Sequence, residues 1–265
     1  MSYKSISSPQ NDLVKHVVNL KEKSRNRKKK GEFVAEGFRE LQIALQCNYE
    51  VVSVLFYPEL CSVEQLETLN IDSYKYIEVS KEVYTKIAYR DTTEGVVAIL
   101  KRKTHSLDSL KLYTKTPLIL VAEAPEKPGN IGALLRTADA GNIDAVIIAN
   151  PKTDLYNPNI VRSSVGCVFS NTIATGTTQE VIDFLNVNNI NIYSAILQES
   201  VTYTTQDYTK ASAIVVGTEA TGLTQEWRDA SKNNISIPMQ GKIDSMNVSV
   251  AGGILIFEAI RQRGL

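Results

Sequence analysis

The sequence predicts an α/β protein built from two domains, on three observations. From Asn11 to Leu100, helix-like and strand-like segments alternate, as in a small domain with a buried sheet. Three near-continuous apolar runs follow, Leu118 to Ala122, Ala145 to Ala149 and Ala213 to Val216, and strands apolar on both faces belong to a parallel central sheet. Between them the charged and polar stretch Lys101 to Ser109 breaks the pattern before Pro117. The expected division is a first domain over 1–105, a linker over 106–116 and a second domain over 117–265.

In the first domain the periodicity places a helix near Leu13 to Lys23, an extended segment at Glu32 to Ala35, a helix at Phe38 to Leu45 and a strand at Val51 to Phe56. The alternation continues through Val63 to Leu69, Tyr76 to Val79, Lys81 to Ala88 and Val96 to Leu100. Ahead of the first extended segment, Lys21, Lys23, Arg25, Arg27, Lys28, Lys29 and Lys30 crowd one stretch. Such a run is either a site for a polyanion or a solvated surface loop.

In the second domain the Thr-rich stretch Thr172 to Thr178 reads as a strand passing into a turn, and the chain closes on an apolar helix. Ser245 or Asn247 stands where that helix begins and can cap its free amides. Val248, Ala251, Leu255 and Ala259, with Ile254 and Phe257 beside them, are expected to bury one face.

Composition narrows the function. The 265 residues, 43% of them hydrophobic, carry a formal net charge of zero and are enough for real cores. No apolar run reaches the roughly 20 residues that span a bilayer, and Met1 to Gln10 lacks a secretory apolar segment, so a cytoplasmic protein is expected. Cys47, Cys61 and Cys167 are far apart, as buried reduced thiols would be, and show no metal-binding spacing. His16 and His105 both lie outside the glycine-bearing segments described next, which argues against histidine-based nucleophilic or zinc chemistry.

Three segments carry candidate chemistry. Pro128 to Gly132 follows a strand and opens a helix that contains Arg136 and Asp139, and amides exposed at such a turn favour an anion. An ordinary strand-to-helix turn has the same appearance, and Arg136 alone could be a surface arginine in a salt bridge. At Val215 to Leu223 two glycines, Gly217 and Gly222, bracket Glu219 at the end of an apolar strand, where the main chain could approach an adenine or ribose. Glu219 could also be a charge at a helix entry. The third segment runs from Ile237 and Pro238 through Ser245, Met246 and Asn247 to Ala251.

The residues Ile237 to Ala251 resemble the last motif of the SpoU (TrmH) family of RNA ribose 2′-O-methyltransferases, part of the SPOUT class. Asn130, Gly132 and Arg136 match that family's Asn-x-Gly-x-x-x-Arg motif, and Val215 to Leu223 matches its middle motif. Met246 stands where leucine is commoner, a nearly volume-conserving change. Phe33 to Leu41 and Asp91 to Ala98 are similar to the ribosomal-protein-like α/β domain that binds substrate ahead of many such catalytic domains.

The resemblance implies a SPOUT-type parallel sheet with a C-terminal trefoil knot, a homodimer, and S-adenosylmethionine as cofactor without a metal. It implies that Gly217, Ile237 and Met246 hold the cofactor, with Gly222, Leu223 and Pro238 as secondary candidates. Arg136 matches the family's catalytic residue. A guanidinium is a poor base, so Arg136 is expected to orient a phosphate and stabilise the developing alkoxide, with Asn130, Glu219, Ser245 and Asn247 orienting it and the ribose. In this context the basic run, with Arg25, Arg27, Lys28, Lys29 and Lys30, becomes an expected RNA contact. Ribosomal RNA is favoured over tRNA, because tRNA enzymes of this family often use short helical extensions instead of a separate domain. The alternatives are a non-catalytic RNA-binding or ribosome-assembly protein on the same fold, and a Rossmann-type nucleotide enzyme, which would need a full Gly-x-Gly-x-x-Gly turn that the chain lacks.

Overall fold

The computed structural model describes residues 3–89, 94–218 and 221–264. The chain divides into two compact units, one made of Met1–Lys103 with Asp154–Ser170, the other of Thr104–Thr153 with Asn171–Leu265.

The first unit contains β1 (Lys4–Ile6), α1 (Asp12–Glu22), α2 (Ser24–Lys30), β2 (Glu32–Glu36), α3 (Phe38–Gln46), β3 (Val51–Phe56), α4 (Val63–Glu67), β4 (Tyr76–Val79), α5 (Lys81–Ile87) and β5 (Val96–Lys101). Its sheet runs β1-β4-β3-β5-β2, with β1 and β3 parallel to β4, and β5 antiparallel to both β3 and β2. Asn11 caps α1 by accepting from the Leu13 amide at 2.9 Å. Val14, Val17 and Leu20, three residues apart, bury that helix's inner face.

The basic run is not a loop. Lys21 lies in the last turn of α1, and Arg25, Arg27, Lys28, Lys29 and Lys30 lie in α2, which follows after Lys23 and stops at Gly31, whose φ of 65° is the left-handed conformation that glycine adopts without strain.

The second unit opens with β6 (Leu118–Glu123), α6 (Pro128–Ala140) and β7 (Ala145–Ala149). The chain then returns to the first unit through Asp154–Ser170, which carries α7 (Pro158–Ser163) and α8 (Cys167–Ser170). There the Tyr156 ring stacks on Phe33 with centroids 4.2 Å apart, and Phe169 meets Tyr49 edge-on at 5.0 Å. Four buried aromatics, two from the main segment and two from this excursion, therefore share one core, which neither stretch completes alone.

Back in the second unit follow β8 (Ile173–Gly176), α9 (Thr178–Val187), β9 (Asn191–Ala195), β10 (Val201–Thr202), β11 (Ser212–Val216), α10 (Gln225–Ala230), β12 (Asn233–Ser236) and α11 (Val248–Gln262). The sheet order is β10-β12-β9-β11-β6-β7-β8, and every paired neighbour is parallel. Every residue of β6, β7 and β11 is buried, the burial that their apolar runs require.

One expectation about the closing helix needs correction. The buried face of α11 is Gly252, Leu255, Ile256, Ala259 and Ile260, while Phe257 is 48% exposed. The cause is a glycine: a Cβ at Gly252 would lie 2.8 Å from Leu134 Cδ2 of α6, so α11 makes its closest approach on a residue that no hydrophobic pattern counts. The three cysteines are free thiols; Cys61 is buried, and Cys47 and Cys167 are half-buried. Burial pushes the Cys61 thiol up to about 11, so it is inert near neutrality.

Candidate functional site

In a parallel sheet all carboxyl ends emerge on one edge, and that edge is where open α/β sheets bind ligands. Here the ends of β9, β11 and β12, at Ala195, Val216 and Ser236, line a cavity of about 720 Å³ together with the start of α11. The volume suits a nucleoside with a substantial appendage.

Of the sequence-derived cofactor residues, Gly217, Gly222, Leu223, Ile237 and Met246 line this cavity, as do Ser245 and Asn247. Pro238 is exposed and does not line it. Asn130 and Arg136 are also outside the lining. Glu219 lies outside the described residues, as do Asp91, Thr92 and Thr93 of the first domain's motif.

The loop after β11 is closed on itself. The Thr218 amide donates to the Gly222 carbonyl at 3.2 Å and the Gly222 amide returns a bond to the Thr218 carbonyl at 3.1 Å. The two threonine hydroxyls, of Thr218 and Thr221, lie 2.8 Å apart. A Cβ at Gly217 would sit 2.4 Å from the Gly222 carbonyl carbon, so glycine is needed there to let the chain approach itself. Gly222 is glycine for another reason, a φ of 67°. Replacing Gly217 with alanine is expected to open the loop, cost about 1–3 kcal/mol of stability through overpacking and weaken ligand binding at the cavity. A thermal melt and titration with S-adenosylhomocysteine would show both effects, and unchanged values in both would refute the account.

The first and third motifs meet at a pair of asparagines. Asn247 caps α11 by accepting from the Ser249 amide at 2.9 Å, which fixes its side-chain amide so that Nδ2 donates to Asn130 Oδ1 at 3.1 Å. Of the two residues expected as caps, Asn247 takes the role and leaves the exposed Ser245 at the cavity. Asn130 sits in the first turn of α6, which begins at Pro128 with its ring in the position helices tolerate best. Arg136, two turns along, is exposed and has no hydrogen-bond or ion-pair partner among the described residues.

Sequence reasoning missed a buried carboxylate at the carboxyl end of β6. β6 runs one residue beyond its apolar run to Glu123, which is 3% exposed. Glu123 Oε1 accepts from Asn150 Nδ2 at 3.0 Å, while Oε2 accepts from Thr178 Oγ1 at 2.9 Å and Trp227 Nε1 at 2.7 Å. These bonds satisfy a charge that would otherwise be costly to bury, and they tie α10 to the end of β6. Missed as well were Leu197 and Gln198 beyond β9, with Arg228 and Asp244, all in the cavity lining. The alternation in Ile190, Ile192 and Ile196 was the signal that could have found β9.

The expected RNA residues separate into two groups. Arg25, Lys28, Lys29 and Lys30 are exposed on α2 and lack a partner among the described residues. Arg27 is a correction: it is 2% exposed, and its Nε donates to Asp154 Oδ2 at 2.5 Å. Its Nη1 donates to the carbonyls of Leu20 and Lys21, at 2.7 and 3.1 Å, in the last turn of α1. Arg27 is thus a buried clamp, withdrawn from any external phosphate. Among the described residues, no three His, Cys, Asp or Glu side chains are grouped to hold a metal ion, and no helix is long and apolar enough to cross a membrane.

Comparison with known proteins agrees with this geometry. Residues 117–257 match the model of the SpoU rRNA Methylase family, and residues 11–98 match the MRM3-like substrate binding domain. The 23S rRNA (guanosine(2553)-2'-O)-methyltransferase RlmP of Bacillus subtilis is 28% identical over 254 residues, covering 96% of this chain and 98% of its own. A crystal structure of an RNA 2'-O ribose methyltransferase superposes with a TM-score of 0.86 at 34% identity, over 98% of this chain and 100% of that one. The AdoMet-bound rRNA methyltransferase from Sinorhizobium meliloti gives a TM-score of 0.89 at 28% identity, over 98% of both chains. With the family model spanning more than half the chain, and with both asparagines and the cavity in place, this protein belongs to the SpoU rRNA methylase family.

Proposed function

We propose that this protein is an S-adenosylmethionine-dependent enzyme that methylates a ribose 2′-oxygen in ribosomal RNA, with the first unit recruiting the RNA. The observation that supports it most is the cavity itself, where residues from the second and third motifs converge and Asn247 reaches Asn130 of the first. The chemistry of the lining fits the cofactor: Val216, Leu223, Ile237 and Leu255 offer an apolar bed for adenine, and the main chain around Gly217 and Gly222 offers hydrogen-bonding groups to the nucleoside. When bound, S-adenosylmethionine supplies an electrophilic methyl group on a sulfonium.

The protein's part is positioning and charge. Arg136 orients an RNA phosphate and stabilises the alkoxide as it develops. Asn130 and Asn247, locked to one another, and the Ser245 hydroxyl hold the ribose, and Glu219 is assigned with them from the motif alone. The presence of all five residues favours turnover over the non-catalytic reading.

Relatives named for rRNA and the separate first unit support rRNA over tRNA. We further infer a cytoplasmic homodimer. Val250 and Phe257 are about half exposed, two turns apart on α11, and such an apolar stripe is suited to a second copy. The order β12-β9-β11-β6, with the segment 237–247 passing from β12 to α11, is compatible with the family's trefoil knot.

The test is methyl transfer from labelled cofactor to purified rRNA and tRNA, with the product mapped by mass spectrometry. One 2′-O-methyl nucleotide in rRNA is expected; labelled tRNA would overturn the substrate, and no product in either would favour the non-catalytic reading. In the same system, replacing Lys28, Lys29 and Lys30 with alanine is expected to weaken RNA binding and lower the salt slope by about 1 per lysine that contacts phosphate. An unchanged affinity and slope would return α2 to plain solvated surface.

A further inference from the structure

The cavity is lined mostly by apolar and neutral side chains, yet two of its described lining residues are charged, Arg228 and Asp244, and they have opposite signs. Neither side chain has a hydrogen-bond or ion-pair partner among the described residues, and the two do not pair with each other. Arg228 is half-buried. A guanidinium keeps its charge at any physiological pH, so one held beside a cavity without an anion is an unmet electrostatic demand.

Its mounting is rigid. Arg228 follows Trp227, which is fully buried and anchored through Nε1 to Glu123. The Trp227 carbonyl accepts from Ser231 Oγ at 2.7 Å and Ser194 Oγ at 3.3 Å, which ties α10 to β9. The helix that presents Arg228 is therefore fixed at both its ring and its backbone, and the guanidinium is pre-positioned at the cavity.

Resting on the cofactor reading above, we propose that Arg228 and Asp244 bind the amino-acid end of the cofactor, Arg228 taking its α-carboxylate and Asp244 its α-ammonium. A zwitterion is the ligand that answers one unpaired cation and one unpaired anion in the same cavity. The adenosine end needs neither charge, since its partners are the apolar and main-chain groups on the other walls. The two residues thus separate recognition of the amino-acid tail from recognition of the nucleoside.

The experiment compares two ligands by calorimetry on the full-length protein: S-adenosylhomocysteine, which carries the amino-acid end, and 5′-deoxy-5′-methylthioadenosine, which lacks it. Arg228→Gln is expected to weaken S-adenosylhomocysteine roughly 10- to 100-fold, the range for a hydrogen bond to a charged group, and to leave methylthioadenosine within about twofold. Asp244→Asn is expected to show the same selectivity, and Arg228→Lys to recover part of the loss. Retained methylthioadenosine binding also shows that each variant is folded. Unchanged S-adenosylhomocysteine affinity in Arg228→Gln would overturn the assignment, and so would equal weakening of both ligands, which would mean that Arg228 shapes the cavity as a whole. If the unmodified protein binds neither ligand, the cofactor reading falls and this assignment with it.

Discussion

Replacing Arg136 with alanine is expected to lower methyl transfer by roughly 10²- to 10³-fold, the cost of removing a donor aimed at charge that appears in the transition state. The affinity for S-adenosylhomocysteine should stay within about twofold, because a group that acts on the developing oxyanion contributes little to ground-state binding. The structure supports this separation. Arg136 lies outside the cavity lining, exposed on α6, and its guanidinium is uncommitted among the described residues. Lysine at this position would keep the charge but lose the planar fork that engages phosphate, so Arg136→Lys should recover a minor part of the rate. Single-turnover methylation and ligand titration on the same preparations decide it: undiminished turnover in the alanine variant removes Arg136 from the chemistry.

The second large effect is on stability. Arg27→Leu is expected to destabilise the first unit by about 3–5 kcal/mol, because it leaves Asp154 buried with its main partner gone. Asp154 would retain Arg102, whose Nη2 donates to Oδ1 at 3.3 Å, and the Tyr156 amide at 3.2 Å. Two carbonyls at the end of α1 would also lose their donor. Removing both charges in Arg27→Leu/Asp154→Leu should recover much of the loss, since an apolar pair needs no solvation. Trp227, the single tryptophan, is in the second unit, so its fluorescence reports that unit while far-UV circular dichroism reports both. Urea unfolding of Arg27→Leu should shift the dichroism transition to lower urea than the fluorescence transition. Coincident, unshifted curves would refute the clamp.

Much of this was legible in the sequence, and the failures have physical causes. Val51–Phe56, Tyr76–Val79 and Ala145–Ala149 form strands over the very residues whose apolar pattern marked them, because burial on both faces leaves little room for another reading. The motif residues of the cavity were legible because they are contiguous in the chain. Arg27 was not, because its partner lies 127 residues away and a linear run of cations does not reveal which one turns inward. Glu123 was missed for a related reason: a carboxylate reads as the end of a hydrophobic strand, and its three donors come from three separate segments. Arg228 and Asp244 carry no local signature, since their significance lies in a shared cavity and in what they fail to pair with. Gly217 was expected to be glycine so that a ligand could approach the main chain; the structure adds a second demand, since a Cβ there would meet Gly222.

The excursion Asp154–Ser170 makes the protein indivisible at the level of the gene. The chain passes from one unit to the other three times, so no single break point in the coding sequence yields two self-sufficient products. A fragment beginning at Pro117 would still contain Tyr156, Phe169 and the carboxylate of Asp154, stripped of Phe33, Tyr49 and Arg27. Conversely, a chain nicked within 106–116 would remain one particle, its two pieces laced together by seventeen residues of the second that complete the core of the first. Trading the first unit for another would therefore require exchanging the internal segment 154–170 in the same event.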